Sequence, residues 1–182
     1  MIQHEGIDMT KKSICVYVGN RAQYTSLKPI MHEIKRHQDL ELQLILSASA
    51  VIEKFGNLIK QITQDGFNID FQFNSLIEGE TTVTMAQSSG LGMIEVAMVF
   101  DKIKPDLVLV VGDRFEILPV VMSAVYMNIT VAHTMGGEVT GTIDESIRHA
   151  VTKLAHIHFP ANSDAETRIL KLGEDPKYVF NV

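Results

Sequence analysis

The strongest constraint in this sequence is a regular alternation of short apolar runs with segments of helical period. Its centre is Asp106-Leu-Val-Leu-Val-Val-Gly112, apolar at every interior position. A strand with one face in water alternates apolar and polar residues, so a run apolar throughout must be covered on both faces, as in a parallel sheet between helices. The rest of the chain repeats the theme. Strands are predicted over 13–18, 42–46, 106–112, 130–133 and 156–159, and a further one begins at 178–182. The alternation of Phe67, Ile69, Phe71 and Phe73 reads as a half-exposed strand over 67–74. Helices are predicted over 24–37, 51–64 (interrupted by Gly56), 81–104, 115–127, 144–154 and 164–172. In the first of them Leu27, Ile30, Met31 and Ile34 share one face, and Lys104-Pro105 stops the longest. Repeated strand–helix alternation implies an α/β fold, a doubly wound parallel sheet with right-handed crossovers.

Composition narrows the function classes. The 182 residues suffice for one domain with a sizeable core. Sixteen basic against 22 acidic residues leave a net charge of −6, which disfavours nucleic acid as a partner. Cys15 is the single cysteine, so no disulfide forms within the chain and a reducing, cytoplasmic setting is expected. The longest uncharged apolar stretch, Ile117 to Ala132, is interrupted by Pro119, Ser123, Asn128 and Thr130. It reads as a buried helix and a strand rather than a membrane span. The first residues contain no apolar segment of the signal-peptide kind, and residues 1–12 are expected as a disordered tail.

Open α/β sheets bind ligands beyond the carboxyl ends of their strands, which draws attention to three loops. In Gly19-Asn20-Arg21-Ala22-Gln23-Tyr24-Thr25, Arg21 offers a fork and Thr25 a hydroxyl to an anion at a helix N-terminus. The same loop also fits an ordinary turn with its arginine in solvent. Neither the dinucleotide fingerprint nor a Walker A loop is present. In Gly112-Asp113-Arg114, the acid after the buried strand either caps the next helix or acts on a ligand. The densest stretch runs from His133 to His149. Gly136, Gly137 and Gly141 allow backbone to approach a ligand, and His133, Glu138, Asp144, Glu145, Arg148 and His149 gather ionisable groups in one loop and helix. Asp144/Arg148 and Glu145/His149 stand at i, i+4 and could simply support the helix. His156 and His158 share a strand face but lack a third ligand at suitable spacing, so no metal is expected.

Across these loops, "GNRAQYTSLKPIM", "GDRFEILPVVMSAVYMNI" and "HTMGGEVTGTIDESIRHAVTKLAHIHF" resemble the hydrolysing UDP-N-acetylglucosamine 2-epimerases of sialic acid biosynthesis. The similarity runs from about Ser13 to Val182. It implies a glycosyltransferase-B-type fold of two Rossmann-like halves with the active site between them, residues 13–182 being the N-terminal half and the C-terminal UDP-binding domain being absent. It also implies the reaction, in which a base removes the C2 proton while UDP leaves C1. Water then adds to the resulting glycal and gives N-acetylmannosamine, with no cofactor. By the resemblance Asp113 and Asp144 are catalytic, with Glu138 and His133 as further acid/base candidates. Arg21, Thr25 and Arg114 face the UDP-sugar, and Gly136 and Gly137 border it.

Two departures stand out. By the resemblance, Met135 stands where family members of the animal type have a catalytic glutamate, and Gln23 where the family usually has an acidic residue. Both could reflect another sugar, since a related branch acts on UDP-N,N'-diacetylbacillosamine in making legionaminic acid. A catalytically silent binding or assembly module is the alternative of another class. These 182 residues alone are expected to be inactive and to self-associate, with the apolar face of the 81–104 helix as one contact.

Overall fold

The computed structural model describes residues 11–182. Residues 1–10 of the expected tail at 1–12 therefore lie outside the described residues, and Lys12 already belongs to the first strand. The strands are β1 (Lys12–Val18), β2 (Leu40–Leu46), β3 (Phe71–Gln72), β4 (Leu107–Val111), β5 (Thr130–Thr134) and β6 (Ile157–Phe159). The helices are α1 (Arg21–Arg36), α2 (Leu58–Gln64), α3 (Thr82–Ile103), α4 (Ile117–Tyr126), α5 (Ile143–Leu154) and α6 (Ser163–Lys171). All strand pairs are parallel, in the order β3-β2-β1-β4-β5-β6. The order reverses between β1 and β4, which makes the carboxyl ends of those two strands the natural crevice.

Burial on both faces follows from the alternation of side chains along each strand. Cys15, Tyr17, Val108, Val110 and Val131 face one core with α3, α4 and α5 residues such as Phe100, Val121 and Val151. Val16, Val18, Leu44, Leu109 and Val111 face the other, with Tyr24, Leu27 and Met31 of α1 and Leu58 and Ile62 of α2. This sandwiching is why the 106–112 run has no polar interruption. Burial raises the Cys15 thiol far above its ordinary range, so it is an inert core group.

Three sequence expectations change. The 51–64 helix becomes two short 3-10 turns followed by α2, because Gly56 takes φ +101° and breaks the helical path. In 67–74 only Phe71–Gln72 pairs with β2, while Phe67 packs edge-on against Tyr24. The final segment makes one bridge, His158 to Val179, instead of a strand. The α3 helix is capped as its ends suggest, by Thr81 donating to and accepting from Thr84 and by a left-handed Lys104. By length and composition α3 could cross a membrane; here Val96, Val99 and Phe100 bury one of its sides against the sheet core.

Candidate active site

Gly112 (φ +78°) turns the chain sharply at the end of β4 and presents Asp113. Asp113 does not cap α4. The N-cap position is Glu116, without a side-chain cap bond, and the first turn is closed by the Ile117 N–H donating to the Arg114 carbonyl at 2.8 Å. The Asp113 carboxylate instead pairs with the Arg148 guanidinium of α5, both side chains being largely buried. Arg148 is one turn below Asp144, so this ion pair brings the amino end of α5, and Asp144 with it, to the carboxyl end of β4. Asp144 is half-buried and Arg148 pairs with Asp113 rather than with it. The two acids read from the sequence thus share one edge of the sheet.

His133, at the end of β5, is wholly enclosed. Its Nε2 lies 2.8 Å from the Gly112 carbonyl, which can only accept, so Nε2 carries the proton. Burial, and then the charges of His158 and Arg148, push its pKa down to about 4 despite the Gly112 bond that favours the charged ring. A neutral ring without solvent contact cannot relay protons to a ligand; it fixes the turn that carries Asp113. Glu138 accepts a hydrogen bond from Asn162 Nδ2 at 2.7 Å, which ties it to the amino end of α6. The space beside Gly136 and Gly137, which the sequence reads as room for a ligand, is filled by protein. A Cβ on Gly137 would sit 2.3 Å from the Ala165 carbonyl oxygen, and one on Gly136 would meet His133 and Thr152 at 3.0 Å. Glu145 takes the N–H groups of Gly141 (2.6 Å) and Thr140 (2.7 Å), and these two bonds hold its carboxyl below the usual range.

Beside this edge, at the β1/β4 switch point, lies a cavity of about 620 Å³. Arg21, Arg114 and Lys54 line it together with the acids Glu78, Glu80 and Glu116, Lys54 pairing with Glu78 at 3.8 Å; Phe55, Leu76, Ile77, Met85 and Phe115 supply apolar wall. Asn20 caps α1 by accepting from the Gln23 N–H at 3.0 Å, which places Arg21 at the first helical position and over Gly56. Thr25 is not in the lining, and its hydroxyl donates to the Arg21 carbonyl at 3.0 Å. Sequence reasoning missed two features. One is Arg148 as the partner of Asp113. The other is Glu116, whose buried carboxylate also lines the cavity and whose only sequence signal was an acid directly before an apolar helix. No cluster of three metal-ligating side chains occurs among the described residues.

Comparison with known proteins agrees with this fold. The sequence pattern of the family described as UDP-N-acetylglucosamine 2-epimerase matches residues 32–182. The GDP/UDP-N,N'-diacetylbacillosamine 2-epimerase (hydrolyzing) of Campylobacter jejuni is 35% identical over 96% of the chain, and the UDP-N-acetylglucosamine 2-epimerase of Neisseria meningitidis is 36% identical over 93%. The chain spans 45% and 44% of those relatives' lengths. Among solved structures, a UDP-N-acetylglucosamine 2-epimerase superposes with a TM-score of 0.84 at 22% identity, covering 94% of this chain and 48% of that one. The Neisseria meningitidis enzyme bound to UDP-GlcNAc superposes at 0.80 and 20%, covering 93% and 46%.

Proposed function

Because the chain belongs to the UDP-N-acetylglucosamine 2-epimerase family, we propose that it forms the acid/base half of a hydrolysing UDP-hexosamine 2-epimerase acting in sialic acid-type sugar synthesis. The observation that carries this reading is the Asp113–Arg148 pair, with Asp144 a turn away, next in the chain to Arg114, which with Arg21 lines a cavity whose wall includes neither acid. One carboxylate takes the C2 proton while the C1–oxygen bond breaks and the electron pair leaves with UDP, giving the C1=C2 glycal. Water then adds at C1 and a proton returns to C2 on the other face, so one group must act as base and another as acid. Asp113 and Asp144 are the pair for this work. Arg21 and Arg114 neutralise the diphosphate as it departs. His133 acts as a positioning residue through Gly112.

The apolar wall of Phe55, Leu76, Ile77, Met85 and Phe115 suits acetamido methyl groups, and it favours UDP-N,N'-diacetylbacillosamine as the second substrate reading because that sugar carries two of them. The buried thiol of Cys15 fits a reducing cytoplasm. Since the chain spans under half the length of its relatives, turnover is proposed for the protein with a second Rossmann-like domain closing the cleft. For these 182 residues alone we expect no turnover and at most weak binding of the UDP-sugar. Mass spectrometry of products from both UDP-sugars distinguishes the substrates. In protein competent for turnover, Asp113→Asn is expected to lower kcat by about a hundredfold or more; an unchanged kcat would remove the assignment.

A further inference from the structure

Glu116 is a carboxylate 4% exposed to solvent, and its two oxygens are treated very differently. Oε1 receives Asn20 Nδ2 at 2.9 Å, Gln23 Nε2 at 3.4 Å and the Arg114 guanidinium Nε at 3.3 Å. Oε2 has no hydrogen-bond partner among the described residues. The support is itself built up. Gln23, also buried, accepts the Gly19 N–H at 2.6 Å through its carbonyl oxygen, which aims its amide at Glu116. A side chain at position 19 would stand 2.7 Å from Glu116 Cγ, so Gly19 keeps the slot open. Burying a carboxylate and leaving half of it unbonded costs stability, and Glu116 returns nothing as a helix cap because it makes no cap bond. The cost is offset if a ligand in the cavity that Glu116 lines supplies the missing donor.

We propose that Glu116 recognises the sugar of the bound nucleotide, with Oε2 accepting a hydrogen bond from a hydroxyl or acetamide N–H of the hexosamine. This rests on the UDP-hexosamine reading above. A carboxylate repels phosphate, so the diphosphate lies towards Arg21 and the exposed outer side of Arg114, while the neutral hexosamine lies at Glu116. Ribose carries the same donor chemistry, and the test separates the two sources. Protein carrying the second Rossmann-like domain and its Glu116→Gln variant are titrated by calorimetry with UDP-N-acetylglucosamine, N-acetylglucosamine 1-phosphate and UDP.

The variant is expected to bind both sugar ligands about tenfold or more weakly, as for loss of a hydrogen bond to a charged group. It should bind UDP as the parent does and keep the ligand-free thermal midpoint within about 2 °C. Glu116→Asp, which retains the charge but withdraws it by one methylene, should show the same selective loss. Equal loss for UDP, unchanged sugar binding, or a fall of the ligand-free midpoint beyond about 5 °C overturns the proposal and leaves the UDP-hexosamine reading standing. A parent chain that binds none of the three ligands brings down both.

Discussion

Arg148 shows how much one side chain can decide at this site. Its guanidinium is the only charged partner of Asp113 among the described ion pairs, and both groups are largely out of water. Removing one member of such a pair costs more than forming it gained, because the other charge stays buried. Arg148→Met is therefore expected to destabilise the chain by about 3 kcal/mol, measured by urea denaturation. Arg148→Met combined with Asp113→Leu should recover much of that loss; a double variant no more stable than the single one would show that the pair is not the cause. His133 gives the second expectation at this scale. Its pKa is lowered in the folded state, so between about 4 and the unfolded value near 6.5 the unfolded chain binds more protons. Stability from this group is complete above pH 6.5 and falls as the solution is acidified towards 4, by roughly 3 kcal/mol. His158, also lowered chiefly by burial, adds with the same sign. His133→Gln should flatten the urea midpoint between pH 7 and pH 5, and an unaltered slope would contradict the buried neutral ring.

Among elements, the β5–α5 loop shows which parts of the site were legible. Glycines at 136 and 137 mark close approach of backbone to something, and the sequence cannot say whether that is ligand or protein. The answer depends on α6, whose Ala165 carbonyl occupies the space beside Gly137. Gly137→Ala meets both that oxygen and a φ of +77°. We expect a loss of about 2 kcal/mol or more in denaturant titration, against about 1 kcal/mol for Thr81→Ala at the α3 cap. A Gly137→Ala cost no larger than the Thr81→Ala cost would mean that the loop can move away from α6.

Elements whose pattern is local were readable. The β4 run needs cover on both faces, and that requirement sits in five consecutive residues. The 67–74 stretch misled because its phenylalanines alternate for another reason: Phe67 packs into one core and Phe71 and Phe73 into the other, with only two residues pairing to β2. Glu116 with Asn20 and Gln23, and Asp113 with Arg148, stayed hidden because they need β1 beside β4 and α5 across the sheet edge. Those are contacts between residues 35 to 96 positions apart, and sheet order sets them rather than any local period.

For the whole molecule, the outer side of α3 carries the remaining argument. Val83, Ile94 and Met98 are 63%, 63% and 57% exposed, and Tyr126 on the neighbouring α4 is 73% exposed. Gly90 lies one helical step before Ile94 and two before Met98, in the middle of a helix where glycine costs about 1 kcal/mol relative to alanine. Among the described residues nothing outside its own helix turn comes within 4 Å of where its Cβ would be, so their packing does not require the glycine. An apolar stripe with a glycine at its centre fits close approach of a second helix, and α3 of a second copy presents the same stripe about a two-fold axis. We therefore expect the chain to sediment as a dimer at micromolar concentration, and Ile94→Glu with Met98→Glu to sediment as a monomer with unchanged circular dichroism. Gly90→Leu, which fills the gap without adding charge, should weaken the dimer while raising helix propensity. If all three proteins sediment with the same mass, the stripe is not the contact between copies.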